Sequence, residues 1–135
     1  AHSIWKMESL CEWQATRAKR SRDHDIHCTE LNFTEDSLIF TVLGTQSDEY
    51  KVEVAEHIDL WPPTCTCEDY IWRGGDVLCK HICYCLRLMG VDEGALCELC
   101  WEPEDQESLL EFLCNAPDVV GGTVCELSFK DCNTK

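Results

Sequence analysis

Two short pairs, Cys65-Thr66-Cys67 and Cys79-Lys80-His81, carry the chemistry most clearly written into this chain. Three soft thiolates and an imidazole match the donor set that zinc takes in tetrahedral sites. With all four positions filled by protein, none is open for a reacting water, so such a site is structural rather than catalytic. One C-x-C or C-x-H pair would be weak, because short spacings of common residues arise by chance. Two pairs eleven residues apart, with Gly74-Gly75 between them and an apolar run after them, form a much more specific pattern. The competing reading, three core cysteines and an unrelated histidine, leaves that agreement unexplained.

The elements that must position these side chains can be read on either side of them. Trp61-Pro62-Pro63 ends an extended run, since proline donates no ladder hydrogen bond. In extended chain Cys65 and Cys67 project to one face, so both sulfurs can reach a single ion. Glu68, Asp69 and Tyr70 form a short turn, and the diglycine lets the chain reverse. From Leu78, the run LCKHICYCLRLMG is apolar on nearly every side except at Lys80 and Arg87, which predicts a buried helix stopped at Gly90. Cys79 and His81 fall in its first turn. Metal would therefore clamp the last extended piece of a sheet to the start of a core helix.

Upstream, Ile4 to about Arg22 sets Ile4, Trp5, Leu10 and Trp13 among Lys, Glu, Gln and Arg, with basic residues collecting at the end, as suits a helix. HCTELNF, SLIFTVLG and EYKVEVAEHI follow as β-branched or alternating runs, the last two joined by a hairpin loop at Gly44-Thr45-Gln46-Ser47-Asp48. Downstream, Glu104 to Cys114 sets Leu109, Leu110, Phe112 and Leu113 among acids, an amphipathic helix. The expected fold class is α+β: an N-terminal helix, a small antiparallel sheet of about three strands, the zinc-clamped helix and a further C-terminal helix. The expected segments are an N-terminal helix over 1–24, sheet plus zinc unit over 25–91 and an acidic helical extension over 92–135.

The run CTCEDYIWRGGDVLCKHICYCLRLMG resembles the SWIM-type zinc finger, whose pattern is C-x-C, a variable spacer and C-x-H. The resemblance covers roughly residues 50 to 90. It implies that Cys65, Cys67, Cys79 and His81 hold one Zn2+, with strands before the motif and a helix after it. The longer stretch from Tyr50 to Val91 looks most like the SWIM fingers that stand beside a RING finger in ubiquitin ligases. Other SWIM proteins include Mutator-like transposases, related plant transcription factors and recombination accessory proteins. The resemblance thus speaks firmly to the metal and weakly to the function. A RING needs eight ligands around two zincs, and this chain has no second block of that kind.

Composition narrows the partners. The chain has 135 residues, enough to bury a core, and twelve cysteines, more than such a core needs. No charged and apolar leader opens it and no apolar run approaches a membrane span, so the expectation is an intracellular protein, nuclear or cytoplasmic, with cysteines as ligands and core residues rather than disulfides. The opening Ala1-His2-Ser3 lacks an initiator methionine and reads as an appended remnant ahead of a piece of a longer protein. A formal charge of −15 opposes nucleic-acid binding, which draws its affinity from cations on phosphates. The local exception is Arg17, Lys19, Arg20 and Arg22, read here as the solvated end of a helix.

The remaining cysteines and histidines carry less. Cys97 and Cys100 resemble the opening pair of a second zinc site, completed by two of Cys83, Cys85, Cys114, Cys125 and Cys132; packing of Cys97 and Cys100 on one helical face is the preferred reading. Cys11, Cys28, Cys83 and Cys85 read as core. A thiol-protease triad with His57 as base lacks any nucleophile signature, and Pro63-Thr64-Cys65-Thr66-Cys67 has the wrong spacing for a zinc deaminase. His24 and His27 flank the basic patch without a partner. The expectation is a non-enzymatic protein-interaction module binding a partner with a basic surface. Its contacts would come from Glu98, Glu102, Glu104, Asp105, Glu107 and Glu111, with any exposed tryptophan among Trp61, Trp72 and Trp101, each more readily read as core. Nucleic-acid contact through Arg17, Lys19, Arg20, Arg22, Arg73, Lys80 and Arg87 is the second reading.

Overall fold

A computed structural model describes residues 2–34, 36–55, 62–73, 77–97, 111, 112, 114, 115 and 124–126. The N-terminal helix α1 spans His2–Asp23, and its side chains are described from Glu12 onward. Strands β1 (His27–Phe33), β2 (Ser37–Leu43) and β3 (Glu49–Ala55) follow the three β runs of the sequence. Two short strands enlarge the expected three-stranded sheet. β4 (Thr64–Cys65) pairs antiparallel with β3, and β5 (Val124–Glu126) pairs parallel with β1, giving the order β4-β3-β2-β1-β5. Strands of two and three residues carry too little pattern to be read from sequence. Their existence is decided by the partner edge.

Register explains how the sheet serves the site. Leu31 opposes Phe40, Phe40 opposes Val52, and Val52 opposes Cys65, so one row of side chains runs across four strands and ends on a cysteine of the zinc motif. A second row, Cys28, Val42 and Tyr50, lies parallel to it on the same face. A bulge between Cys28 and Glu30 lets Cys28 and Leu31, three apart, both reach the core. β2 is the central strand, which is why LIFTVL is nearly continuous in apolar character, whereas β3 alternates Val52 and Val54 with exposed Lys51 and Glu53. The β2–β3 loop closes through Gly44 N–H to Asp48 C=O (2.9 Å), with the left-handed residue at Ser47 (φ 65°).

The helices cover this face. α2 spans Glu68–Arg73, α3 Lys80–Leu88 and α4 Glu93–Cys97. Where the sequence predicts a short turn at Glu68-Asp69-Tyr70, the chain continues into one and a half turns of helix. α3 buries His81, Ile82, Cys83, Cys85 and Leu86, as its apolar sequence requires. It stops in a Schellman motif: Gly90 is left-handed (φ 99°), Val91 N–H donates to Leu86 C=O and Gly90 N–H to Arg87 C=O. Helix α1 packs on α3 and α4. Of the expected helix from Glu104 to Cys114, residues 111, 112 and 114 are described and helical, and Phe112 is buried against Phe40 with ring centroids 6.0 Å apart.

Polar side chains fasten these layers. Gln14, fully buried on α1, accepts from Leu78 N–H (2.7 Å) and donates to Leu78 C=O (3.1 Å), satisfying both backbone groups of the residue before Cys79. Arg87 donates to Ser21 Oγ, Ala18 C=O and Glu93 Oε1, so one guanidinium holds α1, α3 and α4 together. Cys28, Cys83 and Cys85 are buried, as expected, and the Cys11 side chain lies outside the described residues. No described helix is long and apolar enough to cross a membrane.

Gln14→Leu tests the link between α1 and the loop ahead of Cys79. Although leucine is more apolar, it strands the Leu78 N–H and leaves the Leu78 carbonyl with only the Cys83 thiol as donor, and the variant should lose about 1–3 kcal/mol in urea unfolding of the metal-loaded protein. A loss below about 0.5 kcal/mol would show that the clamp contributes nothing.

Candidate metal centre

Three elements deliver the four side chains. Cys65 ends β4, at the edge of the row through Val52 and Phe40, and Cys67 lies just ahead of α2. Cys79 is the N-cap residue of α3, in extended conformation (φ −71°, ψ 169°), and His81 is the second residue of that helix. Their donor atoms lie within 4.8 Å of one another, and all four residues are buried. The imidazole presents Nδ1 to the sulfurs, 4.0 Å from Cys65 Sγ and 3.9 Å from Cys79 Sγ. The Cys65, Cys67, Cys79 and His81 set read from the sequence therefore converges in space and could hold one metal ion. Three thiolates and an imidazole in a closed, buried shell are the chemistry of structural zinc.

The electrostatics show what the site needs. Hydrogen bonding to Cys67 pushes the Cys65 thiol up to about 12, and burial pushes Cys79 well above its ordinary value. Cys67 is held far below the ordinary thiol range, chiefly by the hydrogen bond from Cys65 and then by that from Cys79. Without a cation, burial and the mutual hydrogen bonds oppose ionisation of Cys65 and Cys79 and favour it at Cys67. Backbone groups reinforce the negative charge: Cys67 N–H points at Cys65 Sγ (3.5 Å) and Tyr70 N–H, in the first turn of α2, at Cys67 Sγ (3.4 Å). A divalent ion would displace the remaining thiol protons and supply the stabilisation that burial removes.

Two residues that sequence reading passed over shape the imidazole. Tyr50, at the end of its sheet row, lies against His81 with ring centroids 4.5 Å apart and planes tilted by 37°. Gly44, on the other side of the hairpin loop, admits a side chain only if its neighbours give way: a Cβ there would stand 3.0 Å from Tyr50 Cε2 and 3.2 Å from His81 Nε2. His81 Nε2 is buried without a hydrogen-bond partner among the described residues. A ring that uses Nδ1 for metal carries its proton on Nε2, so this nitrogen is a confined donor beside the tyrosine ring. The signal lay in the hairpin sequence, where a glycine and an aromatic flank the loop, but no spacing rule connects them to a histidine more than thirty residues on.

Other sequence readings sort themselves around this centre. Arg17 is not solvated as its helix-end position suggests: its guanidinium is buried and forks onto both carboxylate oxygens of Asp69 at 2.7 Å. The reason is tertiary, because α2 sets an acid against that face of α1. Arg22 and Arg87 share Glu93 Oε1, each at 2.7 Å, and Arg73 lies over the Trp13 ring at 4.4 Å. Lys80 sits 3.0 Å from His24 Nδ1, so its ammonium faces the end of α1. His27 pairs with Asp25 on the surface. Trp72 is 84% exposed and does not fill the core, since α2 buries none of its residues.

Cys97 is half-buried at the end of α4 and Cys114 is exposed; Cys100 and Cys132 lie outside the described residues, as does the Cys125 side chain. His57, Trp61, Gly74, Gly75, Glu98, Trp101, Glu102, Glu104, Asp105 and Glu107 also lie outside them, while Glu111 is exposed. An open cleft of about 630 Å³ above the cluster sets Arg17, Arg20 and Lys80 against Asp48, Glu68 and Asp69, a balance that selects neither cations nor anions. No protein-family model, curated protein or solved structure matches the chain.

Gly44→Ala should weaken zinc binding about tenfold, roughly 1.4 kcal/mol, because its methyl group displaces the His81 ring from the sulfurs. Competition with a chromophoric chelator measures this. Wild-type affinity in the variant would show that the hairpin does not position the ligand.

Proposed function

We propose that this domain is a SWIM-type zinc module in which a single structural Zn2+, held by Cys65, Cys67, Cys79 and His81, fixes a surface used for protein–protein interaction. The observation that carries the reading is the closed, buried cluster at the joint between β4, α2 and α3. Every donor there is a protein side chain, so the metal's role is to tie elements together. No catalytic role is assigned to it. A place in a ubiquitin-ligase-like protein, as a substrate- or partner-recognition element, rests on the likeness of the motif and its preceding strand to SWIM fingers that accompany RING fingers. An intracellular setting, nuclear or cytoplasmic, is consistent with three buried free thiols held for metal.

Charge favours a basic protein partner over nucleic acid. The chain carries a net −15, and a three-thiolate zinc site adds about one further negative charge. Of the seven cations available for phosphate, Arg17, Arg22, Arg73 and Arg87 are engaged within the molecule. Association with DNA or RNA, as in transposase-derived or recombination SWIM proteins, is the second reading, and Lys19, Arg20 and Lys80 would have to carry it.

Metal analysis should find one zinc per chain in the wild-type protein and none in Cys79→Ala. Because binding at comparable thiolate-rich sites is worth on the order of 10 kcal/mol at neutral pH, that variant should be aggregated or molten. An unchanged melting temperature with zinc absent would refute the structural role, and two zincs per chain would revive a second cluster around Cys97 and Cys100. Titration with duplex DNA and single-stranded RNA at low salt should show no micromolar binding. Affinity in that range, falling steeply with salt, would overturn the protein-partner reading.

A further inference from the structure

Helix α2 buries none of its six residues, yet its sequence includes Tyr70, Ile71 and Trp72. Ile71 is 65% and Trp72 84% exposed; with Trp13, at 39%, they are the exposed large apolar side chains among the described residues. Within it only Tyr70 packs against the core, and that only in part. Polar contacts add to this hold: Tyr70 N–H points at Cys67 Sγ beside the cluster, Asp69 grips Arg17 bidentately, and Arg73 reaches across to Trp13 while standing 4.0 Å from Asp69. Asp69 and Arg73 face α1. Ile71 and Trp72 are left facing water, an arrangement that costs stability and that interfaces repay.

We infer that Trp72 and Ile71 form a docking surface for a basic protein segment that carries a bulky apolar side chain. The assignment deepens the interaction reading above and rests on it. Its charge preference follows from what surrounds the patch. Arg17 and Arg73 are already engaged, and Arg20 and Lys80 line the cleft on which Glu68 also lies; Glu68, one helical turn before Trp72, is itself exposed and makes no ion pair among the described residues. A lysine or arginine entering here meets an indole face and a carboxylate together. The net charge of −15 works against a second copy of the chain, an anionic membrane and a nucleic acid at the same surface.

The test uses the zinc-loaded protein and three probes at 0.15 M salt, the physiological ionic strength: a labelled Leu/Lys amphipathic peptide, its Leu/Glu counterpart, and phosphatidylserine vesicles. Anisotropy and co-sedimentation report binding. The Leu/Lys peptide should bind, the Trp72→Ala/Ile71→Ser variant should lose at least about tenfold in affinity, Glu68→Gln should lose a few-fold and Glu49→Gln, at an exposed acid on β3, should bind as the wild type does. Zinc content and far-ultraviolet circular dichroism should be unchanged in all variants. In the wild-type protein the Trp72 indole N–H resonance should shift on adding the Leu/Lys peptide. If that resonance stays still, or if the double variant binds the peptide undiminished, the surface assignment fails while the interaction-module reading stands. Equal or tighter binding of the Leu/Glu peptide or the vesicles overturns the basic-partner chemistry, and a dimer that dissolves on Trp72→Ala would make a second copy the occupant. No binding by any probe counts against the surface and the module reading together.

Discussion

Three sulfurs and a ring nitrogen within 4.8 Å of one another, on four buried residues, cannot all adopt their metal-binding state without a cation among them. Burial alone favours neutral thiols, and hydrogen bonding among the three concentrates what negative charge there is on Cys67. Every element near the cluster is placed by this demand. β4 exists as two residues on the edge of β3 because Cys65 must face the core, α2 begins where Cys67 needs backbone donors, and α3 begins at Cys79. A metal ion held by these four side chains would offset that electrostatic cost and would tie β4, α2 and α3 directly to one another.

From that joint the consequences spread outward through packing and ion pairs. The sheet row Leu31, Phe40, Val52 and Cys65 makes the hydrophobic core and the metal site one continuous layer. Gln14 carries the connection to α1 by closing both backbone groups of Leu78, and Arg17 carries it to α2 by gripping Asp69. Metal, core and the α1–α2 face are therefore coupled. A surface built on α2 takes its placement from the contacts of Tyr70 with the core, of Asp69 with Arg17 and of Arg73 with Trp13.

Charge shows how far composition reaches. The −15 total argues against a phosphate-binding face, but the basic cluster from Arg17 to Arg22 could not be interpreted from its run of residues alone. Two of its members end in ion pairs with acids more than fifty positions away, Asp69 and Glu93. Likewise Trp13, an apparent member of an apolar stripe, is left partly in solvent under an arginine from another helix.

The sequence by itself determined the candidate metal-ligand set, the three main strands, the first helix and the buried helix with its glycine stop, because each depends on contacts within a few residues: thiol spacing, alternation, apolar periodicity and a left-handed cap. The second histidine nitrogen's confinement, the roles of Gly44 and Tyr50, the clamp by Gln14, the burial of Arg17 and the exposure of Trp72 were decided only in the tertiary structure. Those features arise where segments far apart in the chain meet. Whether a polar group finds a partner, or an indole finds a cover, depends on which surface the register of the sheet and the position of the metal bring opposite it.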